Sequence, residues 1–406
     1  MSSSEWRSVQ LSDVAAFGSG TTPARARQSE FYDQGTVPWV KTLDLNNGAI
    51  VSTDESVTTL AIDQTNLRVH PAGSVLVAMY GGFVQIGRTG VLRIRATTNQ
   101  AITVVLPDRK LLDSDFLLHL LNYRVGHWRS VASSSRKDPN ITKNDVKSFP
   151  FHLPSLPEQA VIANVINDAT EFLSALEQVI VKKRAIKQGL MRELLTGRTR
   201  LPGFTAEWAE RKIGEFTEVM TGGTPSTFVS RYWGGDIRWM NSGEIHKKRV
   251  REVSGRITVD GLRESPAKIL PRGTVLMALV GQGRTRGTVA VTEVELTINQ
   301  SMAGILPGRE HDSDFLYYLL DTRYEELRGE SAGDGGRGVL NLKIIKNLSV
   351  RMPQLNEQVA IGQVLRDTDA EIETLDRRLE ATRAIKQGMM QELLTGRTRL
   401  VAEGAA

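Results

Sequence analysis

The chain has 406 residues, a formal net charge of +5 and a 40% share of hydrophobic residues. That share supports packed cores and excludes a disordered chain, and the length fits two or three ordinary domains. The mild basic balance permits a polyanionic partner without demanding one, and the absence of cysteine excludes disulfides, thiolate metal sites and cysteine nucleophiles and points to a cytoplasmic address.

In chain order, the first six residues, MSSSEW, lack an apolar stretch, so no signal peptide is expected, and no run approaches the roughly 20 apolar residues of a membrane helix. Residues 1–155 alternate short β-like runs with Gly- and Pro-rich turns. Ser74–Met79, Val91–Ile94 and Ile102–Leu106 read as strands and Phe116–Tyr123 as a helix. Residues 156–198 change character: Ile162, Ile166, Ala169, Leu173, Leu176, Ile180, Lys183, Lys187, Leu190 and Leu194 step by four and three alternately. Such spacing over about five heptads predicts a coiled-coil helix of roughly 55 Å at about 1.5 Å per residue. Pro157 precedes it and Gly197 stops it.

Residues 199–354 return to the first pattern, with strands expected at Thr274–Val280, Thr288–Val291 and Met302–Leu306 and a helix at Phe315–Tyr324. Residues 355–400 return to the second, through Ile361, Leu365, Thr368, Ile372, Leu375, Leu379, Thr382, Lys386, Met389 and Leu393, with Pro353 ahead and Gly396 at the stop. Residues 401–406 are expected to be a disordered tail. The fold class is thus α+β: two domains with mainly antiparallel sheets, separated by two long antiparallel coiled-coil helices. The expected helix-pairing residues are Ile166, Leu173, Leu176, Ile180, Leu190 and Leu194 against Leu365, Ile372, Leu375, Leu379, Met389 and Leu393. Polar seam layers at Lys183/Lys187 and Thr382/Lys386 fall at matching heights. They either fix register or face a partner, or they are stems snorkelling off a weak stretch of seam.

The chain is a duplication. ELLTGRTRL occurs at Glu193–Leu201 and again at Glu392–Leu400, and AIKQG at Ala185–Gly189 and Ala384–Gly388. Over 158–201 against 357–400, 22 of 44 positions are identical, far beyond chance. The remainder repeats faintly: Trp6 and Trp208, Gly20–Pro23 and Gly222–Pro225, Trp39 and Trp239, Asn99-Gln100 and Asn299-Gln300. Variable blocks alternate with constant ones, a pattern that holds the constant blocks alike while the variable ones diverge.

Basic and polar residues crowd the turn segments of the variable blocks. In the first these are Thr22, Arg25, Arg27, Lys41, Arg88, Ser135, Arg136, Lys137, Asn140 and Lys143. In the second they are Thr224, Ser226, Arg231, Tyr232, Asn241, His246, Lys247, Lys248, Arg249, Arg284, Arg286, Arg337, Asn341 and Lys343. Arg and Lys neutralise phosphates or bond guanine, and Asn bonds adenine. Any one of them alone reads more readily as ordinary surface charge; the clusters together favour DNA.

Catalytic patterns fail. Gly281-x-Gly283 is followed by Arg286 where a dinucleotide fingerprint needs glycine, no Gly-Lys pair exists for a P-loop, and no histidine pair has metal-ligand spacing. Gly18-Ser-Gly20 has the wrong spacing for a methyl-donor loop, and no Asn-Pro-Pro-Tyr or Asp-Pro-Pro-Tyr tetrapeptide occurs. Pro107-Asp108 with Asp145-Val-Lys147 matches a loose nuclease pattern, but the duplicate has Pro307-Gly308 and Ile344-Ile345-Lys346, without the acids a cation requires. No catalytic residue and no metal ligand is expected.

With Leu156-Pro-Glu-Gln159 and Leu355-Asn-Glu-Gln358 opening the constant helices, and Leu194–Arg198 and Leu393–Arg397 (both LLTGR) closing them, the chain resembles the specificity subunits of type I restriction–modification systems. So does Gly222–Ser226 (GGTPS), followed by Tyr232–Ile237 (YWGGDI) and Trp239. The first variable block departs from it, with Ala24 where the second has Ser226. The resemblance implies a non-catalytic subunit. Each variable block would be a target recognition domain reading half of a bipartite, asymmetric site in double-stranded DNA. The helices would space the halves and dock two adenine methyltransferase subunits carrying S-adenosylmethionine. Two motor-nuclease subunits using ATP and magnesium would complete the complex, and no cofactor would sit in this chain. The competing readings are a protein-only coiled-coil adaptor and a nuclease or methyltransferase in its own right.

Overall fold

A computed structural model describes residues 6–82, 84–132, 140–281, 285–329 and 339–400. The expectations for Ser135, Arg136, Lys137, Arg284, Arg337 and the tail at 401–406 lie outside these described residues. The chain divides into two compact units, Met1–Leu176 with Arg378–Ala406, and Glu177–Arg377.

In the first unit, a five-stranded sheet has the order β2-β9-β6-β7-β4: Ala15–Ser19, Ile102–Pro107, Val75–Ala78, Thr89–Leu92 and Gly48–Ile50. A three-stranded sheet, β5-β3-β8, joins Glu55–Val57, Val37–Val40 and Thr97–Thr98. A pair, β1-β10, joins Arg7–Gln10 to Pro150–Leu153. Pairing is antiparallel except at β4·β7 and β3·β8. Side chains alternate across a strand, and β6 is buried on both faces. Val75 and Val77 enter the core that holds Phe116, Leu117, Leu120 and Leu121 of the helix Ser114–Tyr123. Leu76 and Ala78 enter a second core with Val40, Leu45, Ile102 and Val104.

The second unit repeats this topology strand for strand. Its five-stranded sheet, β12-β19-β16-β17-β14, comprises Val219–Thr221, Met302–Ile305, Val275–Ala278, Val289–Thr292 and Arg249–Val250. Its three-stranded sheet, β15-β13-β18, comprises Gly255–Ile257, Trp233–Met240 and Thr297–Ile298. Its pair, β11-β20, is Ala209–Lys212 with Ser349–Met352. Two sheet-rich domains with mixed, mainly antiparallel sheets and two long helices agree with the expected fold class. The helix expected at Phe315–Tyr324 instead runs Ser313–Thr322, and a separate one follows at Tyr324–Gly329.

The long helices are Leu156–Leu194 and Leu355–Leu394. Pro157 does not precede the first, as expected, but sits inside its first turn, where its missing N–H has no helical partner to lose. Gly197 and Gly396 take φ of +69° and +72°, the left-handed stop that favours glycine. Within the second unit the helices run antiparallel: Lys183 pairs with Glu371 at 2.7 Å and Lys187 with Asp369 at 2.5 Å.

The heptad residues serve two purposes. Leu194, with Ile361 and Leu365, is part of the second unit's core. Leu393, with Ile162 and Ile166, is part of the first unit's. Leu190 and Met389 pack on those cores from the edge. Leu176, Ile180, Ile372 and Leu379 are buried outside them, and Leu173 and Leu375 are half-buried.

Candidate nucleic-acid interface

In each unit a tryptophan on the three-stranded sheet pins a polar loop. Buried Trp39 donates Nε1–H to the Thr21 carbonyl at 3.2 Å, and Tyr32 donates its hydroxyl to the Pro23 carbonyl at 2.6 Å. Trp239 donates to the Gly223 carbonyl at 3.0 Å and Trp233 to the Ser226 carbonyl at 3.1 Å, the two indoles meeting edge to face. Each loop begins at a position only glycine can hold. A Cβ on Gly20 would lie 1.8 Å from the Thr98 carbonyl oxygen, and one on Gly222 equally close to that of Ile298.

Each loop threonine meets a glutamine. Thr22 bonds Gln100, and Thr224 Oγ1 donates to Gln300 Oε1 at 2.5 Å. Asn99 and Asn299 accept the backbone N–H two residues on, at 3.1 and 3.2 Å, a turn that directs the glutamine to the loop. The Asn-Gln repeat is visible in the sequence, but nothing there shows that it meets the threonine. Phe228 is a second residue the sequence does not single out. It is 98% exposed in the loop of the second unit.

In the first unit, Arg25 and Lys41 share the Glu55 carboxylate at 2.6 and 2.7 Å, and Arg25 stacks 4.1 Å over Tyr32. The Lys41 bond, with Arg25 behind it, holds the Glu55 carboxyl below its ordinary range. Thr22, Arg25 and Lys41 thus form one group around Trp39. Arg27 is paired with Glu30 and lies over Phe31. Lys143 Nζ lies 3.4 Å from the Phe17 carbonyl, Asn140 is exposed and Arg88 is half-buried. Among the described residues no hydrogen bond or ion pair joins Arg88 or Lys143 to the Trp39 group.

In the second unit, Arg231 pairs with Glu264 at 3.0 Å, and buried Tyr232 donates its hydroxyl to the same carboxylate. Ser226 is exposed. Asn241 spends its amide oxygen on the Gly243 N–H at 2.8 Å. His246 is exposed, 3.4 Å from Thr285 Oγ1; Lys247 pairs with Glu244 and Lys248 with Asp321, each at 2.6 Å. Arg249, expected at the DNA surface beside them, is turned inward: its guanidinium meets Asp314 at 2.8 Å and the Tyr318 hydroxyl at 3.0 Å. Val250, its neighbour on the two-residue strand, is buried in the core with Met240 and Leu276, so strand alternation turns Arg249 to the other face, toward the helix Ser313–Thr322. Arg286 is half-buried. Asn341 caps the helix Leu342–Asn347 and, with exposed Lys343, lines a shallow cavity of about 430 Å³.

The acids of the nuclease-like pattern have local duties. Asp108 accepts the Lys110 N–H at 2.9 Å, and Asp145 closes a capping box with Thr142 at 2.7 Å. Among the described residues no group of three His, Asp or Glu side chains is placed to hold a metal, and no helix is long and apolar enough to cross a membrane.

The family model for the type I restriction modification DNA specificity domain matches twice, over residues 3–187 and 205–383. The type I restriction enzyme MjaIX specificity subunit of Methanocaldococcus jannaschii is 32% identical over 171 residues, 41% of this chain and 39% of that protein. The MjaVIII specificity subunit of the same organism is 21% identical over 415 residues, 98% of this chain and 93% of that one. The crystal structure of the S subunit of a type I restriction-modification system from M. genitalium superposes with a TM-score of 0.62 at 15% identity, covering 97% of each chain.

Proposed function

Because the chain belongs to the type I restriction–modification DNA specificity family, we propose that it supplies the address of such a complex and leaves the chemistry to its partners. Each unit reads one half of a bipartite, asymmetric site in double-stranded DNA. The long helices set the unread gap and dock two adenine methyltransferase subunits. S-adenosylmethionine belongs to those subunits, and ATP and magnesium to two restriction subunits that join for cleavage, all in the cytoplasm.

The observation that carries this reading is the pair of tryptophan-pinned loops. The frame is the same in both units: an indole, a glycine, and a threonine bonded to a glutamine. The side chains around it differ, Arg25 and Lys41 in one unit and Arg231, Ser226 and Phe228 in the other. A constant frame with unlike polar side chains suits two readers of unlike half-sites. Most of the basic residues already hold a carboxylate, so they meet phosphate by exchanging one anion for another. That suits contacts exchanged between non-specific and specific DNA.

The test is single-molecule sequencing of adenine methylation in cells carrying the chain with its modification subunit. A new split motif that changes in one half when one unit is replaced supports the reading. With an active, assembled complex, the lack of any new motif favours the protein-only adaptor. Salt separates the two as well, since DNA affinity that rests on phosphate contacts falls steeply as salt rises.

A further inference from the structure

Lys187 and Lys386 occupy the same place in the two AIKQG segments. In the second unit Lys187 is satisfied. Its Nζ lies 2.5 Å from Asp369, which also accepts the Tyr318 hydroxyl at 2.7 Å, and Tyr318 in turn accepts from Arg249 at 3.0 Å. Arg249, opposite Val291 in the β14·β17 ladder, fills the space beside this chain of bonds.

The first unit keeps the lysine and loses the rest. Opposite Val91, in the equivalent ladder, stands Ala49. His119 takes the place of Tyr318 and Thr170 that of Asp369. What remains is a cavity of about 620 Å³, lined by Ala49, Asp115, His119, Asn167, Thr170 and Lys386 among others. Asp115 is neutralised by Arg93 at 2.5 Å. His119 and Asn167 bond each other at 2.8 Å, and burial holds the imidazole below its ordinary range, in the neutral form. Among the described residues no carboxylate pairs with Lys386, and burial pushes its ammonium below the usual lysine range. A half-buried cation without a counter-charge, beside neutral hydrogen-bonding groups in a cavity of ligand size, calls for an anion.

We propose that this cavity binds a carboxylate, which takes on Lys386 the place that Asp369 takes on Lys187. A single ammonium suits one negative charge, and Glu171 in the lining disfavours a dianion such as phosphate. The carboxylate comes either from a small molecule or from an acidic side chain of the docked modification subunit. Only the second source rests on the reading of the chain given above.

Acetylation by an N-hydroxysuccinimide ester, followed by peptide mass spectrometry, reads both lysines in one full-length chain. In the free chain Lys386 is expected to label several-fold faster than Lys187. Sodium benzoate at constant ionic strength slows Lys386 and leaves Lys187 unchanged. If the natural carboxylate is a partner's, the co-purified modification subunit also slows Lys386, and excess benzoate weakens that subunit's binding to the chain; protection by a subunit whose binding benzoate leaves unchanged is mere coverage and rejects the partner as source. Thr170→Asp, which installs the counterpart of Asp369, slows Lys386 in every condition, and neutral Thr170→Asn does not. The proposal is overturned if Lys386 starts as slow as Lys187, if benzoate leaves it unchanged, or if Thr170→Asn slows it as much as Thr170→Asp.

Discussion

The carboxylate of Glu158, 1% exposed, is gripped by Nε and Nη2 of Arg399 at 2.5 and 2.8 Å, across 241 residues of sequence. The duplicate pair is Glu357 with Arg200, both bonds at 2.6 Å. The start of each constant block is therefore locked to the end of the other. The glutamines that follow lock inward: Gln159 accepts the Asp113 N–H at 2.8 Å and Gln358 that of Asp312 at 3.0 Å, which seats each long helix on the capped end of a domain helix. This exchange explains why the Glu-Gln of LPEQ and LNEQ and the TGRTR segment survive in both copies while the blocks between them drift. Arg399→Ala strips a buried carboxylate of its counter-charge and leaves it the Trp6 indole N–H at 3.2 Å, and we expect a loss on the order of 3 kcal/mol in urea unfolding of the first unit. Glu158→Gln added to it should recover part of that loss. Equal stability of Arg399→Ala and the parent chain would sink this account.

The duplication, the heptads and the domain helices were legible because each leaves a periodic or repeated signal. The parallel strand pairs β4·β7 and β3·β8 were not, since β4 and β8 have only three and two residues, too few to show a period. The inward turn of Arg249 was hidden for a related reason. His246 to Arg249 reads as one basic run, yet its last residue is on a strand of two residues and bonds the helix Ser313–Thr322. The meeting of Gln100 with Thr22 depends on a contact 78 residues apart that no local pattern encodes.

The glutamine–threonine pairs give a test of separate reading. Gln100→Ala should loosen only the Thr22 loop and Gln300→Ala only the Thr224 loop. We expect each to relax one half of the methylated motif, with mismatch tolerance changed by about 1 kcal/mol at affected positions. Phe228→Ala belongs to the second half as well. A fully exposed apolar side chain among polar ones suits a wedge between base steps, so its loss should weaken that half-site and reduce DNA bending, measured by energy transfer across a labelled duplex. Equal effects on both half-sites would argue against independent readers.

Arg249 and His246 should separate stability from recognition. Burial pulls the Arg249 guanidinium down, but the Tyr318 hydroxyl and Asp314 outweigh it and hold the cation firmly charged. Arg249→Ala leaves Asp314 and Tyr318 short of a partner, and we expect roughly 2–3 kcal/mol of destabilisation with the motif unchanged. His246→Ala combined with Lys247→Ala removes exposed groups, so thermal stability should hold while second-half affinity falls. The opposite pattern, stable Arg249→Ala with an altered motif, would return Arg249 to the DNA.

Acid should weaken the second unit through His311. Its imidazole is buried against Phe216, neither ring nitrogen has a partner among the described residues, and desolvation pushes its pKa down to about 4. The unfolded chain takes up this proton near pH 6.5, the folded one only near 4, so the unfolded state binds more protons in between. The stability contributed by neutral His311 is therefore complete above about pH 6.5 and lost as pH falls toward about 4, by on the order of 3 kcal/mol. His311→Leu keeps the volume and removes the titration. Its urea midpoint should match the parent chain at pH 7 and exceed it at pH 5. A parallel pH profile for the two chains would show that another group carries the acid sensitivity. His119 in the first unit, also pushed down by burial, is the next to substitute.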